Sequence, residues 1–332
     1  MKKTLLSAGL ALGLALNSFG AGQKELDMMG NFEGKFTSGW TDMSISAQII
    51  ALGQGKHLAK LNVDGNIIEV SGKTKGKAEE GLCLYDETLD LGSDMGGKYH
   101  IVGQVTDGVF TATIDGESQD GGFELKRVIK GSPTMGKAAP EGATVLLGAN
   151  APEDAFVRPA LWGISGDGVM QPSYSSVVTK EEFGSSQYHI EFKSPFMPDE
   201  APGSQGRGNS GVYLMGRYEV QVLDSFAQEP KDNYCGGIYK KAVPIVIACA
   251  PPEEWQTYDI TFHAPQFDGS GTKTKDATIT VIQNGTTIHD NVVLPSCTPG
   301  GVSGEEAAIG VLMLQYHHDD VAYRNVWVQP LD

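Results

Sequence analysis

The chain is poor in charge, in aromatic rings and in long apolar runs. Of its 332 residues 20% are charged and 8% aromatic, set against 43 glycines and 16 prolines. So many helix breakers argue against a helical bundle and favour short strands joined by tight turns. Positive charge is the scarcer sign: 25 Lys and Arg face 41 Asp and Glu, a formal net charge of −16. Such a field repels phosphate backbones and anionic lipid, which argues against nucleic acid as a partner. A neutral or cationic ligand fits better. The phosphate-binding glycine loop, the dinucleotide fingerprint, the Gly-x-Ser-x-Gly elbow and His-Glu-x-x-His are all missing. "GLCLYDETLDLG" is acidic but lacks the spacing of a calcium loop. Nothing in the sequence requires a cofactor.

What is present begins with "MKKTLLSAGLALGLALNSFGAG": two lysines, a short apolar run, then small residues. The pattern predicts a secretory signal peptide over residues 1–20, cleaved after Gly20. The run falls short of the roughly 20 residues a membrane helix needs, and no later run reaches that length. The expectation is a secreted or periplasmic protein without a membrane span. Export permits oxidation of Cys83, Cys235, Cys249 and Cys297. The short loop between Cys235 and Cys249 predicts a disulfide there; the pairing of Cys83 and Cys297 stays open. Zinc is the weaker reading, because no Cys or His stands at ligand spacing from these.

Residues 24–130 alternate apolar and polar positions between Asp-Gly pairs, at Asp64-Gly65, Asp107-Gly108 and Asp115-Gly116. Such pairs mark hairpins, so this part reads as a small antiparallel barrel-like β-domain. "GSPTMGKAAPEGA", residues 131–143, reads as a linker. Residues 144–332 carry longer strands and an Asn284-Gly285 hairpin signal. This second region is predicted to be a jelly-roll β-sandwich, making the chain all-β.

The stretch "GNSGVYLMGRYEVQVLDSF", residues 208–226, holds the most informative pattern. Val212, Leu214, Tyr218, Val220 and Val222 form one apolar row; Tyr213, Met215, Arg217, Glu219 and Gln221 form the other. The second row reads either as a wet outer face or as a surface that holds a polar ligand. It lacks the lysines and threonines of a solubilising face, which favours the ligand. Arg, Glu and Gln in a row supply donors and acceptors for vicinal hydroxyls. "YHHDD", residues 316–320, offers either a polar tip or a site for a general base or a divalent metal. Glu219 and Asp224 are too far apart on a regular strand for two-carboxylate hydrolysis, unless a bulge intervenes.

With "QGRGNSGVYLMGRYEVQVLDSF", the segments "CGGIYKKAVP", "PPEEWQTYDITFHAPQFD", "NGTTIHDNVVL" and "LQYHHDDVAYRNVWVQPL" follow in order. Together they resemble the 3-keto-disaccharide hydrolase family, also described as 3-keto-glucoside 1,2-lyase/3-keto-2-hydroxy-glucal hydratase domains, over residues 144–332. The resemblance implies a concanavalin-like jelly roll and, in front of it, a small β-domain. It also implies cleavage of glycosides or oligosaccharides already oxidised at C3 by a separate sugar 3-dehydrogenase. Carried over by motif, Glu219, His317, Arg217 and Asp224 are the candidate catalytic residues. Asn209, Gln221, Tyr239, Gln315, Arg324 and Glu191 are candidate substrate contacts. Either His317 or Glu219 would be the base at C2, with Arg217 or a divalent metal steadying the enolate. Where the family has Asp before the matched His, this chain has Tyr316, and Asp319 is the acid that would stand in. The alternative is a lectin-like module that binds sugar in the same groove without chemistry.

Overall fold

The structure is a computed structural model. It describes residues 23–331 except 39–40, 77–80, 94–95, 118–119, 149–150, 153, 158–162, 166–167 and 172. The expected signal peptide, 1–20, lies outside the described residues. The chain is nearly all β and divides into two units, Met1–Ile129 and Lys130–Asp332. No helix among the described residues is long and apolar enough to cross a membrane.

The first unit is a closed barrel of β1 (Gly30–Ser38), β2 (Thr41–Ala51), β3 (Lys56–Val63), β4 (Asn66–Thr74), β5 (Leu82–Asp90), β6 (Lys98–Thr106), β7 (Val109–Gly116) and β8 (Gly121–Val128). Each strand runs antiparallel to the next, and β8 closes on β1. Asp64-Gly65 (φ 52°, 85°) and Asp107-Gly108 (φ 49°, 71°) take the left-handed pair that a two-residue hairpin turn needs. Asp115-Gly116 does not: Gly116 ends β7, and its N–H donates to Asp120 farther along. One end of the barrel is filled by rings, with Tyr85 and Phe123 at 4.8 and 4.9 Å from Phe110. Each buried ring of this kind contributes about 1.5–3 kcal/mol.

The second unit is a two-sheet sandwich. The larger sheet contains β9 (Thr144–Leu147), β10 (Gly163–Ile164), β11 (Met170–Gln171), β13 (Ser186–Lys193), β16 (Gln256–His263), β19 (Ala277–Gln283), β20 (Thr286–Leu294) and β22 (Ala322–Pro330). The smaller has the order β12 (Val177–Phe183), β21 (Gly310–Leu314), β14 (Ser210–Leu214), β15 (Tyr218–Val222). A separate pair joins β17 (Gln266–Phe267) to β18 (Lys273–Lys275). The Asn284-Gly285 turn joins β19 to β20 with φ 50° and 81°.

Residues 208–226 are thus not one strand but a hairpin. Leu214 pairs with Tyr218, so Met215, Gly216 and Arg217 form the turn, with φ 52° and 65° at the first two. The pairing keeps parity, so Val212, Leu214, Tyr218, Val220 and Val222 all enter the core. There they meet the larger sheet: Tyr218 lies 5.1 Å from Phe262, and the Tyr258 hydroxyl donates to the Gln221 carbonyl at 2.6 Å.

All four cysteines are free thiols. The predicted Cys235–Cys249 disulfide is not formed, although the two thiols are buried hydrogen-bonding neighbours. The Cys235 sulfur is engaged instead by Gln283 Nε2 at 3.2 Å and the Tyr258 hydroxyl at 3.3 Å. Cys83 lies inside the barrel and Cys297 in the sandwich unit.

Candidate functional site

The polar row of the hairpin lies on the outer face of the smaller sheet, yet it is not wet. Tyr213, Glu219 and Gln221 are each 1–2% exposed. Tyr213 and Glu219 are cross-strand partners, which puts their side chains side by side on one face. The Tyr213 hydroxyl donates to Glu219 Oε2 at 2.6 Å. Turned so that its nitrogen faces the carboxylate, the Gln221 amide donates to Glu219 Oε1 at 2.8 Å and to the Ser210 carbonyl at 2.9 Å. The carboxylate sits directly over Gly211, where an added Cβ would come within 2.4 Å of Oε1. Glycine leaves the room this carboxylate occupies.

Burial pushes the Glu219 carboxyl up to about 8, the Tyr213 hydrogen bond offsetting part of the rise. Burial first, and then the Glu219 charge beside it, pushes the Tyr213 phenol far above its ordinary range. A carboxyl raised this far without a cation beside it is what a general acid or base near neutral pH requires.

Loops complete the surroundings. Residues 236–239 run along the free edge of β15: Gln221 N donates to the Gly237 carbonyl at 2.9 Å, and Tyr239 N to the Glu219 carbonyl at 3.2 Å. This sets the half-buried Tyr239 beside the Glu219–Tyr213 pair. Gln315, just past β21, donates from Nε2 to the Tyr213 hydroxyl at 3.3 Å. Asn209 Nδ2 donates to the Gln205 carbonyl at 2.7 Å, and the Gln205 amide meets that of Gln221 at 3.2 Å. Asn209 Oδ1 is buried with no hydrogen-bond partner. A buried acceptor left this way is costly unless an ordered water or a ligand group supplies the donor.

The structure therefore gathers Glu219, Gln221, Asn209, Gln315 and Tyr239; Arg217 and Asp224 are engaged by other groups, His317 stands two residues past Gln315, and Glu191 and Arg324 lie on the other sheet. Arg217 leaves the polar row because the turn carries it away: its Nε donates to the Glu305 carbonyl at 2.6 Å and its Nη1 to Met215 at 2.8 Å. Asp224, past the end of β15, forms a buried ion pair with Arg207 Nε at 2.7 Å. His317 is exposed, its ring 6.3 Å from that of His318. Asp319 of the same loop is buried and accepts from Asn209 N at 2.6 Å.

Glu191 and Arg324 belong to the larger sheet and pair with each other at 2.7 Å. There Glu191 also accepts from Asn325 Nδ2 at 2.8 Å and from Gly136 N at 2.6 Å. His189 stacks on Trp327 at 5.3 Å and meets Asp259 at 2.8 Å, while Thr134 donates to the same carboxylate at 2.5 Å. Residues 132–137 thus lie on this face and cover it. It is an anchoring network for that segment, remote from Glu219 in the strand layout.

Among the described residues no group of three His, Cys, Asp or Glu side chains is placed to hold a metal ion. The donors around Glu219 are an amide and phenols, a set suited to sugar hydroxyls. Two residues escaped the sequence reading. Tyr213 was legible only as a member of the polar row, and Gly211 as a glycine near a turn; their cross-strand positions give them their roles.

The sequence profile of the 3-keto-alpha-glucoside-1,2-lyase-like domain matches residues 134–329. The chain belongs to this family. Membership makes it a carbohydrate-active enzyme of the glycoside-cleaving kind. Among solved structures, a candidate glycosyl hydrolase from Parabacteroides distasonis is 33% identical, with 58% of this chain and 85% of that one covered and a TM-score of 0.52. A second from the same organism is 21% identical over 57% of this chain and 99% of its own, with a TM-score of 0.41. No curated protein matches the sequence. The family match begins at Thr134, inside the segment that covers His189 and Glu191.

Proposed function

We propose that this 3-keto-glucoside lyase-like protein cleaves glycosides oxidised at C3, with Glu219 as the base at C2. A ketone at C3 acidifies the C2 proton, because the resulting carbanion delocalises into an enolate. The observation that carries the reading is Glu219 itself: a buried carboxylate raised to about 8, oriented by Tyr213 and Gln221. A base of that strength is matched to a proton of this acidity near neutral pH.

Glu219 takes the C2 proton, electrons flow into the C3 carbonyl, and the C1–O bond breaks as the enolate collapses. Water then adds: its hydroxide goes to C1, its proton to the departing alkoxide, and Glu219 returns its own proton to C2. The sum is hydrolysis, with no covalent bond to the enzyme. Gln315 and Tyr239 supply donors for the enolate oxygen and neighbouring hydroxyls, and Asn209 Oδ1 accepts from a sugar hydroxyl. The substrate would come from a sugar 3-dehydrogenase, and the leader-like N-terminus supports action in the periplasm or outside the cell.

The test is sugar release from a 3-keto-disaccharide and from its unoxidised parent, with and without chelator. Turnover of the keto form alone is the expected result. Saturable binding without turnover would make the site a lectin-like module, and cleavage of the parent would overturn the C2 mechanism.

A further inference from the structure

The barrel unit is packed unevenly along its axis. Its interior is filled at one end by Phe32, Tyr85, Phe110 and Phe123, while toward the other end it holds a partly open cavity of about 180 Å³. Phe36, Ile45, Leu61 and Ile101 are buried beneath it, and Ile68, Tyr99 and Ile114 line it as half-buried residues. No lining residue is charged; Asn66, exposed at the rim, and the half-buried Tyr99 are the lining residues with polar side chains.

A second observation lies in the wall. β3 pairs with β4 along its whole length, and β5 with β6 from Leu82 to Asp90. β4 and β5 pair only at Gly72–Thr74 with Cys83–Tyr85. Beside the cavity, residues 66–71 of β4 therefore have no ladder partner on β5, and the Glu87 carboxylate bridges the gap to Ser71 N at 2.6 Å. The wall is split next to the vacant end and zipped next to the filled one.

We infer that this cavity binds a neutral molecule with a single aromatic ring and one hydroxyl or carbonyl group, entering through the β4–β5 gap. Eight-stranded barrels have room for either packed side chains or one small ligand, and this one has packed side chains at one end only. An apolar cavity of about 150 Å³ with a similar Leu, Ile and Phe lining accepts benzene. The uncharged lining offers no cation for a fatty carboxylate, and the volume is too small for a long acyl chain. Asn66 matches the single polar substituent.

The experiment titrates the full chain with 4-ethylphenol, followed by calorimetry and by the methyl resonances of the isoleucines. Saturable binding of one molecule per chain is expected, with shifts at Ile45, Ile68, Ile101 and Ile114. Ile114→Trp and Ile68→Phe, which fill the space from half-buried positions, should weaken binding at least tenfold while leaving the melting temperature near that of the unaltered chain. Absence of saturation, shifts confined to other residues, or unchanged affinity in both folded variants would overturn the proposal. So would displacement of the phenol by stoichiometric hexadecanoate, which would make the occupant an acyl chain.

Discussion

The Tyr213 hydroxyl reaches across the β14–β15 hairpin to Glu219 Oε2 at 2.6 Å, with both side chains buried. Burial raises that carboxyl while the Tyr213 bond orients it, in a row whose sequence pattern alone would allow a solvated face.

Glu219 has a sign-definite effect on stability. Its carboxyl ionises near the ordinary carboxylate range in the unfolded chain but only near 8 in the folded one. Between those limits the native state binds more protons, so stability falls as pH rises. Glu219→Gln removes the penalty. The variant should melt higher than the unaltered protein at pH 9 and close to it at pH 4, as scanning calorimetry at the two pH values would show.

Tyr213→Phe deletes the donor that holds the Glu219 carboxyl down, so the rising limb of kcat/KM against pH should move to higher pH. The buried carboxylate loses a hydrogen bond worth about 1–3 kcal/mol, which a urea melt would register. An unmoved limb would remove Tyr213 from the site.

Gly211→Ala places a methyl group 2.4 Å from Glu219 Oε1, a contact the flexible carboxylate can relieve only by moving. Misplacing a reacting group by about 1 Å costs on the order of a hundredfold in rate. The variant should fold, with far-UV circular dichroism unchanged, and lose kcat by that order.

The Arg207–Asp224 and Arg324–Glu191 pairs should behave as structural elements. Asp224→Ala removes the carboxylate paired with the buried Arg207 guanidinium, at a cost of about 3–5 kcal/mol. Burial alone would raise Glu191, but bonds from His189, Asn325, Arg324 and Gly136 outweigh it and hold the group at about 2. Its contribution is therefore present above the ordinary carboxylate range and lost as pH falls through 2. Glu191→Gln should lose on the order of 3 kcal/mol at pH 7 and little at pH 2, with kcat of the folded fraction near normal.

Strand alternation and turn chemistry made most of the fold legible. The apolar row from Val212 to Val222 is core, and Asp64-Gly65, Asp107-Gly108 and Asn284-Gly285 are turns because both residues of each accept positive φ. Asp115-Gly116 misled because the dipeptide permits that geometry without imposing it. The site was legible in part. Glu219, Gln221, Asn209, Gln315 and Tyr239 do meet, whereas Arg217, Glu191 and Arg324 share only alternation with them. Period-two patterning identifies a face but not what covers it or which sheet it belongs to. Residues 131–143 likewise have a linker's composition, yet Thr134 and Gly136 hold Asp259 and Glu191.

The most direct measurement is the rate of cleavage of a 3-keto-disaccharide by the unaltered protein, by Glu219→Gln and by His317→Ala across pH 5–9. A base at Glu219 predicts a rate that rises with pH toward 8, a loss on the order of a hundredfold or more in Glu219→Gln, and a retained limb in His317→Ala. A Glu219→Gln enzyme within tenfold of normal, or a limb that disappears with His317 instead, would contradict it.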